Sequence, residues 1–108
     1  MGKGGIGNMM KQVQQMQAKM DKIQAELEKT EVEGSSGGGM IKVVANGKQE
    51  ILSVTIDPEV VDKDEIEMLQ DLIVAAISQA RQKAQELQTD KMGELTGGLN
   101  IPGLNLPF

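Results

Sequence analysis

Apolar residues recur at strictly alternating steps of three and four through the first quarter of the chain: Ile6, Met9, Val13, Met16, Met20, Ile23 and Leu27. The spacing predicts one long amphipathic helix carrying a heptad seam, the pattern of a helix that associates along its length. At about 1.5 Å per residue, a helix of about 25 residues is roughly 37 Å long. A chain of 108 residues cannot cover such a helix by itself. Part of it is therefore expected to meet another copy or to project into solvent. The helix should end near Glu31, ahead of the glycine-rich run from Gly34 to Gly39, and a first short strand fits around Thr30 to Gly34.

The period then changes. Met40 to Gly47 and Glu50 to Ile56 are rich in β-branched residues and flank Asn46-Gly47, a strong hairpin dipeptide, so an antiparallel pair is predicted. A two-residue loop would put Ile41 and Val43 on one face with Leu52, Val54 and Ile56, leaving Lys42, Ser53 and Thr55 on the other. Past Asp57-Pro58 the helical period returns in Ile66, Leu69, Ile73, Ile77, Ala80, Ala84 and Leu87, predicting a second helix from about Asp64 to Thr89. Its centre, Leu72 to Ile77, is apolar nearly all round. That demands cover on more than one side and again suggests a subunit interface, for which Val43, Val54, Ile56, Leu69, Leu72, Ile73, Ala76 and Ile77 are the candidates. The polar final turns (Gln79, Arg81, Gln82, Lys83, Gln85) are expected to extend beyond the body. Residues 1–90 then form the folded unit. Residues 91–108, rich in Gly, Leu, Asn and Pro, are expected to lack regular structure, as a loose tail or as an extended peptide docked on an apolar groove.

The composition narrows the function more than the fold. With a single Phe and no Trp or Tyr, the core falls to Ile, Leu, Val, Met and Ala; it would be modest, and dimerisation would enlarge it. A net charge of −5 and a pI near 4.7 argue against a protein that coats anionic polymers simply by being basic. The charge is nevertheless polarised. Residues 1–20 carry Lys3, Lys11 and Lys19 with no acid, whereas residues 57–71 hold Asp57, Glu59, Asp62, Asp64, Glu65, Glu67 and Asp71 against Lys63 alone. Acids at the start of a helix are favoured by its dipole, and these lack the ligand spacing of a calcium loop, so capping and solvation explain them.

The absence of Cys excludes disulfides and thiolate metal sites, and the absence of His removes the commonest general base and metal ligand. No enzyme, cofactor, metal or small-molecule substrate is expected. No apolar run approaches the roughly 18 residues that span a bilayer, and no signal-peptide pattern opens the chain, so no membrane is expected and the location should be the reducing cytoplasm. The opening Met-Gly is not a myristoylation signal, because Ile6 stands where Ser or Thr is needed. Gly2 to Gly7 formally matches G-x-G-x-x-G, but no strand can precede it to build a dinucleotide turn. Gly34 and Gly39 have the first spacing of a phosphate loop, yet Met40-Ile41 replace the Lys and Ser or Thr that touch phosphate and magnesium.

The wording of the chain from Gly37 to Val61, GGGMIKVVANGKQEILSVTIDPEVV, and from Leu69 to Gln85, LQDLIVAAISQARQKAQ, closely resembles the YbaB/EbfC family of small bacterial nucleoid-associated proteins. The resemblance implies an α+β fold: an α-β-β-β-α subunit with an antiparallel three-stranded sheet between two long helices, paired into a tweezer-like homodimer. It also implies binding of double-stranded DNA with limited sequence preference and a role in nucleoid organisation or gene regulation. No helix-turn-helix, zinc finger or basic zipper arm is present, and the lack of aromatics argues against stacking on single strands. What remains is backbone contact by Lys3, Lys11 and Lys19, with Asn8, Gln12 and Gln15 beside them, and by Arg81 and Lys83 of the second helix. Because these cations are sparse, binding should be weak and fade at physiological salt. The competing expectation is a dimeric adaptor that binds a protein partner through its Met-rich helix or apolar tail.

Overall fold

The computed structural model describes the backbone of residues 2–97 and the side chains of residues 6–95. Helix α1 (Gly2–Lys29) leads to strands β1 (Glu31–Ser36), β2 (Ile41–Asn46) and β3 (Ile51–Ile56) and ends in helix α2 (Ile66–Gly97), the α-β-β-β-α order implied by the resemblance. The strands form one antiparallel sheet in the order β1-β2-β3.

Helix α1 begins inside the glycine-rich leader, so the G-x-G-x-x-G residues are helical rather than a loop. Its seam divides in two. Leu27 and Ile23 are buried, whereas Ile6, Met9, Val13 and Met16 are exposed, so the helix projects from the body as its length required.

The turn after β1 explains its glycines: Gly37, Gly38 and Gly39 all have positive φ (62°, 68° and 95°), which side chains other than glycine adopt only with strain. The hairpin after β2 differs from the expected two-residue loop. Asn46 N donates to Glu50 O (3.0 Å) and Gln49 N to Asn46 O (3.0 Å), leaving three residues in the loop with Gln49 at φ 65°. This is a turn followed by a left-handed residue. Asn46 builds it with its side chain: Oδ1 accepts from Lys48 N (2.9 Å) and Glu50 N (3.1 Å), while Nδ2 donates to Glu50 Oε1 (2.8 Å). Gly47 keeps a negative φ and serves a different end. A Cβ there would stand 2.7 Å from Leu27 Cδ2 and 3.0 Å from Leu87 Cδ2, so its bareness lets the hairpin sit between the two helices.

The register pairs Ile41 with Ile56 and Val43 with Val54, and a bulge at Val44/Ala45 absorbs the longer loop. The face assignment therefore holds for Ile41, Val43, Val54 and Ile56 on one face and Lys42, Ser53 and Thr55 on the other, but not for Leu52: the bulge passes it over, Ile51 pairs with Ala45 and packs against the core in its place, and Leu52 is exposed. Only the apolar face is covered. Helix α2 crosses β1 and β2 there, with Ala76 and Ala80 fully buried against Ile41, Val43, Ala45 and Val60. The sheet thus lies between the helices in chain order but not in space, because its Glu31, Glu33, Lys42 and Thr55 face is exposed.

The polar turns of α2 do not leave the body. Gln79 Oε1 accepts from Ser35 N (2.8 Å), Lys83 Nζ donates to Glu33 O (2.8 Å) and Ser36 Oγ donates to Leu72 O, so these side chains bind the length of β1. The helix also outruns its expected end at Thr89. It continues through Gly97, with Lys91 pairing both Glu26 of α1 (3.3 Å) and Glu94 (3.8 Å), and residues 91–97 belong to α2 rather than to a tail. Residues 98–108 lie outside the described part. The acidic stretch caps, as its position suggested: Asp57 Oδ1 accepts from Glu59 N (2.9 Å) and Asp62 Oδ1 from Asp64 N (2.9 Å).

Candidate nucleic-acid interface

Contacts of Leu27 and Glu26 with Leu87 and Lys91, by way of Gly47 and the ion pair, set α1 and α2 antiparallel and overlapping only near their C-terminal ends. Two helices of this length laid end over end in that way account for the long axis of 76 Å. The N-terminal part of α1 is consequently a freestanding arm. At about 100° per residue, Asn8, Lys11, Gln15 and Lys19 fall within a narrow sector of that arm, roughly opposite the Ile6–Met9–Val13–Met16 stripe. All four are exposed. Gln12 is exposed at the edge of the sector, and the Lys3 side chain lies outside the described residues.

Lys22 completes the line, three residues beyond Lys19 and exposed. A charge tally over residues 1–20 leaves it out, because Asp21 beside it cancels its charge on paper. In space Asp21 is turned about 100° away from Lys22, and it accepts a hydrogen bond from Gln17 Nε2 (3.1 Å). The helical spacing Lys11, Lys19, Lys22 was the signal available in the sequence. The line spans about 21 Å from Asn8 to Lys22.

Arg81 and Lys83 do not join it. Two residues apart on α2, they point to nearly opposite sides of that helix. Lys83 is spent on the β1 backbone, while Arg81 is exposed.

The dimer candidates also separate. Val43 and Ala76 are wholly buried in the core of their own chain and have no surface to offer a partner. Ile56, Leu69, Leu72, Ile73 and Ile77 are half-buried around that core. Val54, 42% exposed, shares the covered face of the sheet but stands beyond the cover of α2, with Leu52 exposed beside it. Among the described residues no group of three acids could hold a metal ion, and no helix is long and apolar enough to cross a membrane.

A lysine- and glutamine-lined helical arm on a small α-β-β-β-α body is a form able to offer cations to a polyanion. The comparisons make that class specific. The model of the YbaB/EbfC DNA-binding family matches residues 1–99, and the chain belongs to this family. A nucleoid-associated protein of Caldanaerobacter subterraneus is 54% identical over 110 residues, covering 96% of this chain and 99% of that one. Nucleoid-associated proteins of Alkaliphilus metalliredigens (56% identity, 95% and 93% covered) and Desulforamulus reducens (57%, 94% and 96%) are equally similar. The crystal structure of an uncharacterized protein from Helicobacter pylori has the same fold, with a TM-score of 0.75 at 20% identity over 82% of this chain and 94% of that one.

Proposed function

We propose that the chain acts as a homodimer that binds double-stranded DNA with limited sequence preference, in the bacterial cytoplasm, and so organises the nucleoid or regulates genes on it. The observation that carries this reading is the Asn8–Lys11–Gln15–Lys19–Lys22 line on a freestanding arm. An α-helix with its side chains is about 10–12 Å across, which matches a B-DNA major groove about 12 Å wide. An arm laid over such a groove brings its lysines to phosphates on either side and its Gln and Asn amides to phosphate oxygens, contacts that hold register without reading sequence.

Dimerisation is supported by an asymmetry of the sheet. Gln79 and Lys83 occupy backbone groups along β1, one edge of the sheet, and no side chain of the described residues does the same along β3. Pairing of β3 with a second copy would cover Leu52 and Val54 and place two arms on one particle, doubling the phosphates engaged. An adaptor for proteins would draw instead on the Met-rich stripe, which lies on the other side of the same arm.

The test is fluorescence anisotropy of a labelled random-sequence duplex across a salt series, comparing the parent with Lys11→Gln/Lys19→Gln/Lys22→Gln. Each phosphate neutralised contributes about 0.9 to the slope of log affinity against log salt, so the triple variant should lose about 2.7 for each arm engaged. Lys63→Gln, away from the arm, should leave the slope unchanged. Absence of low-salt binding by the parent, or an unchanged slope in the triple variant, would overturn the reading.

A further inference from the structure

We propose that residues 6–16 of helix α1 seat the same residues of a second chain's α1, running antiparallel, in a contact separate from the β3 edge. The stripe continues an interface already made. Leu27 and Ile23, the last members of the seam, are covered within the chain, at 2% and 8% exposure, whereas Ile6, Met9 and Val13 stand at 61%, 66% and 67%. Cover stops where α2 stops. From Lys91, beside Glu26, α2 runs about 9 Å further to Gly97, antiparallel to α1, and so ends beside Met20. From there towards the tip of the arm the seam lacks a second helix.

The bare part of the seam is complementary to itself. Ile6, Met9, Val13 and Met16 follow one another in steps of three, four and three, a spacing that reads the same from either end. An antiparallel copy therefore sets Ile6 against Met16 and Met9 against Val13, with no position left unmatched. Ile6, Met9, Met10 and Val13 already line a shallow apolar groove beside Gln14. They stand at i, i+3, i+4 and i+7, the four positions that form the hole for one knob of a facing helix, and in this register the knob is Val13 of the second copy. Between Ile6 and Met16 the only charged residue is Lys11, on the far side of the helix, while Met10 and Gln12 flank the seam. No like charges meet, and both lysine lines stay outside the contact. The same register starts the second helix, at Gly2, opposite Met20, so the incoming α1 takes up the seam where α2 leaves it. A parallel copy would instead run on to Ile23 and Leu27, which their own chain already covers. About 15 Å of seam buries far less than the roughly 800 Å² per partner of a standard interface. The contact is accordingly reversible, forms between chains held close together, and leaves the mass of the dilute protein unchanged.

The chain has no cysteine, so introduced thiols can be read without background. Full chains carrying Met9→Cys and full chains carrying Val13→Cys are mixed in equal amounts at high concentration and oxidised mildly, and the interchain disulfides are resolved by mass spectrometry. The mixed disulfide should exceed its chance share over either symmetric one about ten-fold, because like positions lie four residues, about 6 Å, out of line in the antiparallel pair. Chance proportions would overturn the proposal, and so would an excess of the symmetric disulfides, the product of a parallel pair. Ile6→Asp added to both chains changes a position exposed in its own chain and should return the disulfides to chance proportions. An undiminished excess in that background would refute seating along the stripe.

Discussion

Replacing Gly34 by alanine adds one methyl group where α2 crosses β1. An ideal Cβ there lies 2.9 Å from Ala80 Cα, and nearer still to the Ala76 carbonyl oxygen and the Ala80 amide nitrogen, whereas ordinary contact begins at 3.4 Å. All three atoms are backbone, so no side chain can swing aside and the helix itself must lift. A radial gap of about 0.5–1 Å forfeits a quarter to a half of the dispersion attraction at each contact along the Ala76–Ala80–Ala84 seat. Overpacking of cores costs about 1–3 kcal/mol and sometimes more, and this site belongs at the upper end because neither wall can yield. At about 4–8 °C per kcal/mol for a domain of this size, the midpoint should fall by about 12 °C or more. Gly93→Ala makes the same chemical change inside α2 where nothing lies within 4 Å of the new carbon. It should raise stability by about 0.5–1 kcal/mol through helix propensity. Thermal unfolding followed by far-UV circular dichroism, at one protein concentration because association moves the midpoint, reads both. A fall of less than about 4 °C for Gly34→Ala, or the same sign for the two variants, would refute the seating of α2 on that glycine.

Asn46→Ala strips two amides of their acceptor in the hairpin and should cost about 1–3 kcal/mol, seen as a lower urea midpoint with unchanged slope; an unchanged midpoint would mean that the Asn46 bonds do not hold the turn. Val54→Asp should reduce the mass in sedimentation equilibrium from two chains to one with the circular dichroism preserved, since Val54 is partly exposed within its own chain. A persistent two-chain mass would move the interface away from β3.

The elements were legible in the sequence because each rests on a local period: alternating threes and fours for the helices, β-branched alternation around Asn46-Gly47 for the hairpin. The departures arise where a tertiary partner overrides the local signal. Asn46-Gly47 reads as a two-residue turn, but Gly47 is required small by Leu27 and Leu87, and Gln49 takes the left-handed position instead. Residues 91–108, rich in Gly, Leu, Asn and Pro, read as a segment without regular structure, yet α2 continues to Gly97, with Lys91 paired to Glu26 of α1. At the candidate site the arm lysines were visible as charge and the spacing that joins Lys22 to them was available, whereas the packing that excludes Lys83 was not. It depends on which face of each helix is packed, and Lys83 meets a strand fifty residues away.

The side chains of Gln79 and Lys83 along β1 also bear on what happens after two copies meet. A sheet open at both edges can add subunits without end, each new copy presenting the edge for the next. Here one edge is guarded by the chain's own helix, so a β3-to-β3 contact is self-complementary and, once made, leaves no second open edge for growth. In the homodimer proposed above, growth of the sheet would therefore stop at two copies by geometry alone, and such dimers would gather on DNA at high local concentration without seeding β-sheet fibres.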